Sequence, residues 1–285
     1  MAENTNPLGK YYRQPQIYIG LPSGEQWYGP DAIVKTQTGE HAVLPMTAKD
    51  EIAFKTPDAL LNGQAVVDVI KSCIPDIMDP WQIVNYDLDT VLVAIRIATY
   101  GETMDISFKI PGTTIDVSHT INLPQVLDSI KQVAMINETK LSNGMTIKVK
   151  PLNYRDITKS QLQTFQQQKM YNAVLDSNLS EEEKIKKFND SFTALTTLSD
   201  DILMSNIEYI ETPNGERVSD RTQIAQFIKN ANAKLMRELG DRLVELRTQG
   251  SVKPVRLKST EEQIKAGAPV SYEVPITFDN ANFFV

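Results

Sequence analysis

The sequence predicts an α+β protein: a compact helical core with β-hairpins, into which a three-helix antiparallel unit is inserted. Three observations lead to that class. Residues 49–103 hold the best-punctuated helices and the densest apolar run of the chain. Two pairs of alternating segments, 104–110 with 114–121 and 134–141 with 145–152, enclose the turn sequences Pro111-Gly112 and Ser142-Asn143-Gly144, so each pair reads as a hairpin. Beyond residue 152 the alternation gives way to long stripes of helical period.

Residues 1–15 are polar and without periodicity, which predicts an N-terminal arm with Tyr11 and Tyr12 as its anchors. The core domain spans 16–152 and opens with a strand-like segment at 16–21. Short β-like runs follow at 32–35 and 42–44, around the turn sequences Pro22-Ser23-Gly24-Glu25 and Thr38-Gly39. Thr47 with Asp50 starts a short helix, Thr56-Pro57 opens another that Gly63 ends, and a third runs from Gln64 to Cys73 before Pro75. In the central helix Asp87 is the expected N-cap, Tyr100 the last periodic residue and Gly101 the C-cap. Apolar residues from Val91 to Ala98 cover nearly every face, so this helix belongs at the centre. Arg96 alone interrupts them. A guanidinium there either snorkels outward or joins a structural ion pair, with Asp58, Asp68 and Asp89 as candidate partners. A short helix is expected at 123–133, with Val126, Leu127 and Ile130 on one face.

The helical unit spans 153–250. A Gln-rich helix comes first. Ser180 and Glu183 then form a capping box ahead of a stripe through Ile185, Phe188, Phe192, Leu195 and Ile202. After the break at Pro213-Asn214-Gly215, a third helical region carries Ile224, Phe227, Ala231, Leu235, Leu239 and Leu246, and Gly250 closes it. These stripes either pack on one another or leave one waiting for a partner's helix. Residues 251–285 form a C-terminal extended segment that returns to the core β region. The terminal Phe283, Phe284 and Val285, with Tyr11 and Tyr12, are the candidate partner-binding residues, intrachain anchoring being the alternative.

Composition excludes several function classes. The net charge of −7, from 29 Lys+Arg and 36 Asp+Glu, leaves no basic footprint for nucleic acid. The apolar run at 91–95 is far short of the ~20 residues of a membrane span, so no membrane insertion is expected. The first residues carry no apolar leader core, and Cys73 is the single cysteine; both point to the cytoplasm. His41 and His119 stand apart in different β regions with no nucleophile, phosphate-loop or metal-ligand motif beside them. No catalytic residue, metal site or cofactor is therefore assigned. Asp87 and Asp89 form a D-x-D pair that reads as helix capping, and Cys73 reads as a small core residue. An unrecognised cytoplasmic enzyme is the weakest function class.

A resemblance sharpens this. The order Tyr11-Tyr12-Arg13-Gln14-Pro15-Gln16-Ile17-Tyr18-Ile19-Gly20-Leu21-Pro22, then Lys55-Thr56-Pro57-Asp58-Ala59-Leu60-Leu61-Asn62-Gly63, Trp81, the helix at 91–100 and the closing Phe278-Asp279-Asn280-Ala281-Asn282-Phe283-Phe284 resembles the baseplate hub assembly family of T-even-type contractile-tailed bacteriophages. The shared order carries the resemblance, over the first third of the chain and its end. It implies a non-enzymatic protein that builds the central hub of the tail baseplate in the host cell cytoplasm by contacting other baseplate hub proteins. Alternatively, it implies a stable subunit of the virion baseplate. Many members of that family carry two C-x-x-C pairs that together would bind zinc, and this chain has neither. Apolar contacts among Ile106, Phe108, Ile115, Val117, Val274 and Ile276 are expected to take over the cross-link, which requires 104–121 and 270–278 to be adjacent.

Overall fold

The computed structural model of the protein describes residues 6–54, 63–131, 137–175, 180–249 and 252–276. The strand-like opening becomes β1 (Ile17–Gly20), which pairs antiparallel with β2 (Glu40–Val43), Ile17 lying opposite Val43. The run at 32–35 contributes only an isolated bridge, Ile33 to Ile77. Helix α1 (Ala48–Phe54) starts at the expected box: Thr47 N and Oγ1 donate to Asp50 Oδ2 at 2.8 and 2.7 Å, and Asp50 N donates back to Thr47 Oγ1 at 3.3 Å. The short helix expected after Pro57 lies outside the described residues. Helix α2 (Gln64–Cys73) begins at Gly63, whose φ is +76°. A Cβ there would stand 3.0 Å from the Thr158 side chain, so both conformation and close approach demand glycine.

Helix α3 (Asn85–Tyr100) is the centre of the first core. Val91, Val93, Ala94 and Ile95 are wholly inaccessible, and α2, β1, β2 and a later helix pack around them. Each large aliphatic side chain so buried contributes about 1.5–3 kcal/mol. A few of them rival the net stability of a whole domain, about 5–15 kcal/mol, so this helix dominates the fold. It ends as expected at Gly101, φ +96°. It does not begin at Asp87. Val84 is the N-cap and has no side-chain cap bond, while Asp87 sits in the first turn and is fully buried. Its Oδ1 accepts from Ser23 N at 2.8 Å, and its Oδ2 from Ser23 Oγ at 2.5 Å and Tyr28 Oη at 2.7 Å. The carboxylate thus ties the turn after β1 to the helix instead of capping its own backbone. Burial pushes its pKa up, and the bonds from Ser23 and Tyr28 pull it back.

A hairpin follows, β3 (Thr103–Lys109) with β4 (Asp116–Asn122), in register from Thr103–Asn122 to Lys109–Asp116. Helix α4 (Leu123–Lys131) sends Val126, Leu127 and Ile130 into the α3 core. The second expected hairpin is β5 (Glu138–Lys140) with β6 (Thr146–Val149).

The helical region departs from a three-helix unit. Helices α5 (Tyr154–Leu175) and α6 (Glu181–Asn206) pair with each other, and Ser180 and Glu183 form the expected capping box. The chain then enters β7 (Ile207–Glu211) and β8 (Arg217–Val218), giving a four-stranded sheet of order β5-β6-β7-β8. This sheet joins residues on both sides of position 152. The third helical region is two helices, α7 (Arg221–Asn230) and α8 (Ala233–Gln249), with Asn232 Oδ1 accepting from Leu235 N at 2.9 Å at the start of the second. Their buried Ile224, Ile228, Leu235 and Leu239 cover the sheet's Leu141, Ile147, Val149, Ile207 and Ile210 as a second core. A last hairpin joins β9 (Val255–Lys258) to β10 (Ser271–Val274), with the short α9 (Glu261–Lys265) between them.

Asp89, one half-turn past Asp87, accepts from Val252 N at 3.3 Å and so ties the returning C-terminal segment to α3. Burial raises its pKa from 3.8 to about 6, against the lowering effect of that bond. A carboxyl with a raised folded pKa contributes stability that is complete below 3.8 and lost as the pH rises through about 6. Asp89→Asn is therefore expected to melt higher than the parent at about pH 8 and to match it near about pH 4. Melting curves across that interval check this.

Candidate partner-binding surface

A groove of about 520 Å³ lies where the two cores meet. Its walls are the start of α3 (Asn85, Tyr86), the segment after β6 (Lys150, Leu152), α5 (Ile157, Gln161, Phe165), α6 (Ile202, Leu203) and α8 (Leu243, Val244). The backbone explains the placement. Asn85 N donates to Leu152 O at 2.9 Å and Tyr154 N to Ile83 O at 2.7 Å, which fastens the root of α5 beside the root of α3. Trp81 stacks on Tyr154 at 5.6 Å on the same joint. Among the described lining side chains only Lys150 is charged; the others are apolar, hydroxyl or amide. Burial pushes the Tyr86 phenol up and keeps it neutral. Phe165 and Val244 stand 47% and 63% exposed at its mouth. Such a lining can accommodate apolar and amide groups.

His41 and Cys73 are engaged in structure. His41 is fully buried, its Nε2 3.0 Å from Glu25 Oε1 and its Nδ1 3.2 Å from Asp76 Oδ2, so neither ring nitrogen is open to a substrate. Cys73 is inaccessible, and burial pushes its thiol up to about 12. Among the described residues no group of three or more His, Cys, Asp or Glu is placed to hold a metal ion.

Tyr11 and Tyr12 end a short 3-10 turn at 7–11 and are 74% and 53% exposed. The arm is rooted at Arg13, whose Nη1 donates to Pro45 O at 2.8 Å and whose Nη2 donates to Ser72 O at 2.7 Å. Neither tyrosine lines the groove. Phe283, Phe284 and Val285 lie outside the described residues. Arg96 is 8% exposed and lies over the Tyr100 ring, 4.4 Å from its centroid. Among the described residues it forms no ion pair; Asp68 bonds Gln64 and Asp89 bonds Val252 instead, and Asp58 lies outside them. Its Nε and Nη1 are buried without a hydrogen-bond partner, and desolvation lowers its pKa.

Residues 21–265 match the family described as T4 bacteriophage base plate protein. The chain belongs to that family. No curated protein and no solved structure matches it. The match spans α1 to α9, so the groove lies wholly inside the shared region. Among the described residues no helix of this base plate protein is long and apolar enough to cross a membrane.

The two hairpins that the resemblance linked through zinc do meet in this base plate protein. Ile110, Ala268, Tyr272 and Val274 form a small third core with Ile106, Phe108, Ile115 and Val117, and Phe108 meets Tyr272 edge-on at 5.9 Å. Ile276 differs from expectation: it joins the first core, because Pro275 ends the strand before it. At the two turns, a Cβ on Gly112 would stand 3.1 Å from Gly267 O, with φ +79° and +102° at the two glycines. Close backbone approach thus occupies the position where the resemblance would place paired cysteines.

Two outcomes are expected. Gly112→Ala loses about 1–2 kcal/mol from the left-handed backbone alone, read by denaturant unfolding. Arg96→Met melts at or above the parent temperature, since it removes a desolvated cation of similar volume. A loss of about 3–5 kcal/mol would instead reveal a carboxylate stranded by the substitution.

Proposed function

We propose that this base plate protein is a non-enzymatic assembly protein of the central hub, working in the host cell cytoplasm by gripping other baseplate hub proteins. The groove between the two cores carries the reading. It is concave, lined by apolar, hydroxyl and amide groups with Lys150 as the single charge among the described lining residues, and rimmed by exposed Phe165 and Val244. A partner's apolar helix or loop suits such a lining better than a charged small molecule does. The exposed Tyr11 and Tyr12 on an arm rooted at Arg13 supply a second contact, and the terminal Phe283, Phe284 and Val285 a third. The family's description favours a second reading, a permanent subunit of the virion baseplate.

Quantitative mass spectrometry of hub intermediates from infected cells and of purified virions separates the two. The assembly reading expects the chain in intermediates and a substoichiometric trace in virions; a fixed stoichiometric amount in virions supports the subunit reading. Within intermediates, Phe165→Asp combined with Val244→Asp is expected to abolish co-purification with hub proteins while leaving the melting temperature unchanged. Retained co-purification would rule the groove out as the grip.

A further inference from the structure

We infer that His41 is a positioning residue for the groove, holding Trp27 in its wall by way of Glu25. Trp27 joins the walls from the turn after β1 and is the one described lining residue that precedes α3. It is half-buried, and a tryptophan set into a concave apolar surface is the kind of side chain that anchors a partner. The turn that carries it is fixed at both ends by one carboxylate, since Ser23 and Tyr28 both donate to Asp87. Between those ends, residues 24–27 have, among the described residues, a single hydrogen bond to a distant segment. It joins Glu25 Oε1 to His41 Nε2 at 3.0 Å.

The backbone gives that bond its role. Glu25 has φ +61°, and among the described residues no other residue except glycine has a positive φ. Gly24 before it, at φ +58°, takes the left-handed form freely. A glutamate persists there only when its surroundings over-determine it. The bond to His41 supplies that restraint from outside the turn, and Glu25 N donating to Ser23 Oγ at 3.1 Å supplies it from within. His41 can hold Glu25 because it is itself fixed. It is fully buried in β2, and its Nδ1 stands 3.2 Å from Asp76 Oδ2. Asp76 is in turn anchored, its carbonyl accepting from Val34 N at 2.8 Å. Asp76, His41 and Glu25 therefore form a relay from the exit of α2, through β2, to the residue two before Trp27. With the relay cut, Glu25 relaxes to negative φ and swings Gln26 and Trp27, while Asp87 keeps Ser23 and Tyr28 in place. The rigid imidazole presents a nitrogen to each carboxylate, whereas a glutamine amide donates from one end only.

The effect on partner capture rests on the groove being the grip; the position of Trp27 does not. In proton–nitrogen NMR spectra of the purified chain, Trp27→Phe and Trp81→Phe assign the two indole N–H signals. Glu25→Ala, which cuts the relay at its less buried end, and His41→Gln are both expected to shift the Trp27 signal. The signal of Trp81, stacked on Tyr154, should stay in place. An unmoved Trp27 signal in folded Glu25→Ala overturns the inference, and so does an equal shift of both signals, the mark of a general loss of packing. If His41→Gln does not fold, Glu25→Ala alone decides. In hub intermediates Glu25→Ala and Trp27→Ala should each lower co-purification at least about fivefold. A shifted Trp27 signal with undiminished co-purification upholds the relay and counts against the groove as the grip.

Discussion

Everything in the first core depends on keeping water away from one helix. Helix α3 has no solvent-facing stripe over its middle turns, so strands β1 and β2, helices α2 and α4 and the C-terminal Ile276 must all close on it. The hydrophobic term is large but directionless. Polar ties supply the direction. Asp87 holds the turn after β1, Asp89 holds the returning chain at Val252, and Asp50 gathers Thr47 and Ser72 beneath the root of the arm. Asp87 and Asp89 are bonded by groups distant in sequence and Asp50 by one such group, Ser72, beside its local partner Thr47, so each helps fix which segment lies where.

The second core is organised differently. A sheet whose inner strands come from either side of the α5–α6 hairpin is covered by α7 and α8, and one face of the hairpin borders the groove. The two cores touch at the joint between the roots of α3 and α5, where Trp81 stacks on Tyr154 and Gly63 admits Thr158. The groove exists because two separately packed cores meet there over a limited contact. Its described lining combines apolar side chains with several amides and one cation, Lys150.

Much of the first core could be read from residues alone. Gly101, the Thr47–Asp50 box, the Ser180–Glu183 box and the β3–β4 turn all rest on local backbone chemistry, and local chemistry is what a sequence displays. The role of Asp87 was hidden because its partners, Ser23 and Tyr28, lie about sixty residues away. The strand at Ile207–Glu211 was hidden by the long helix before it; the alternation of Ile207 and Tyr209 ahead of the turn at Pro213-Asn214-Gly215 was the signal available. Missing that strand turned α7 and α8 into a third helix of a bundle, and with it concealed the groove, whose walls come from five separate elements.

The connection between β6 and β7 has a further consequence. Those strands are direct neighbours in an antiparallel sheet, with Ile147 opposite Ile210, yet the whole α5–α6 hairpin lies between them in the chain. Its two roots are therefore pinned side by side by the sheet ladder, whatever happens at its far end. Helical turns can be gained or lost there in pairs without disturbing strand register or either core. The hairpin is a boom of adjustable length on a fixed mount, the part of the molecule whose reach can drift over evolution while the mount stays unchanged.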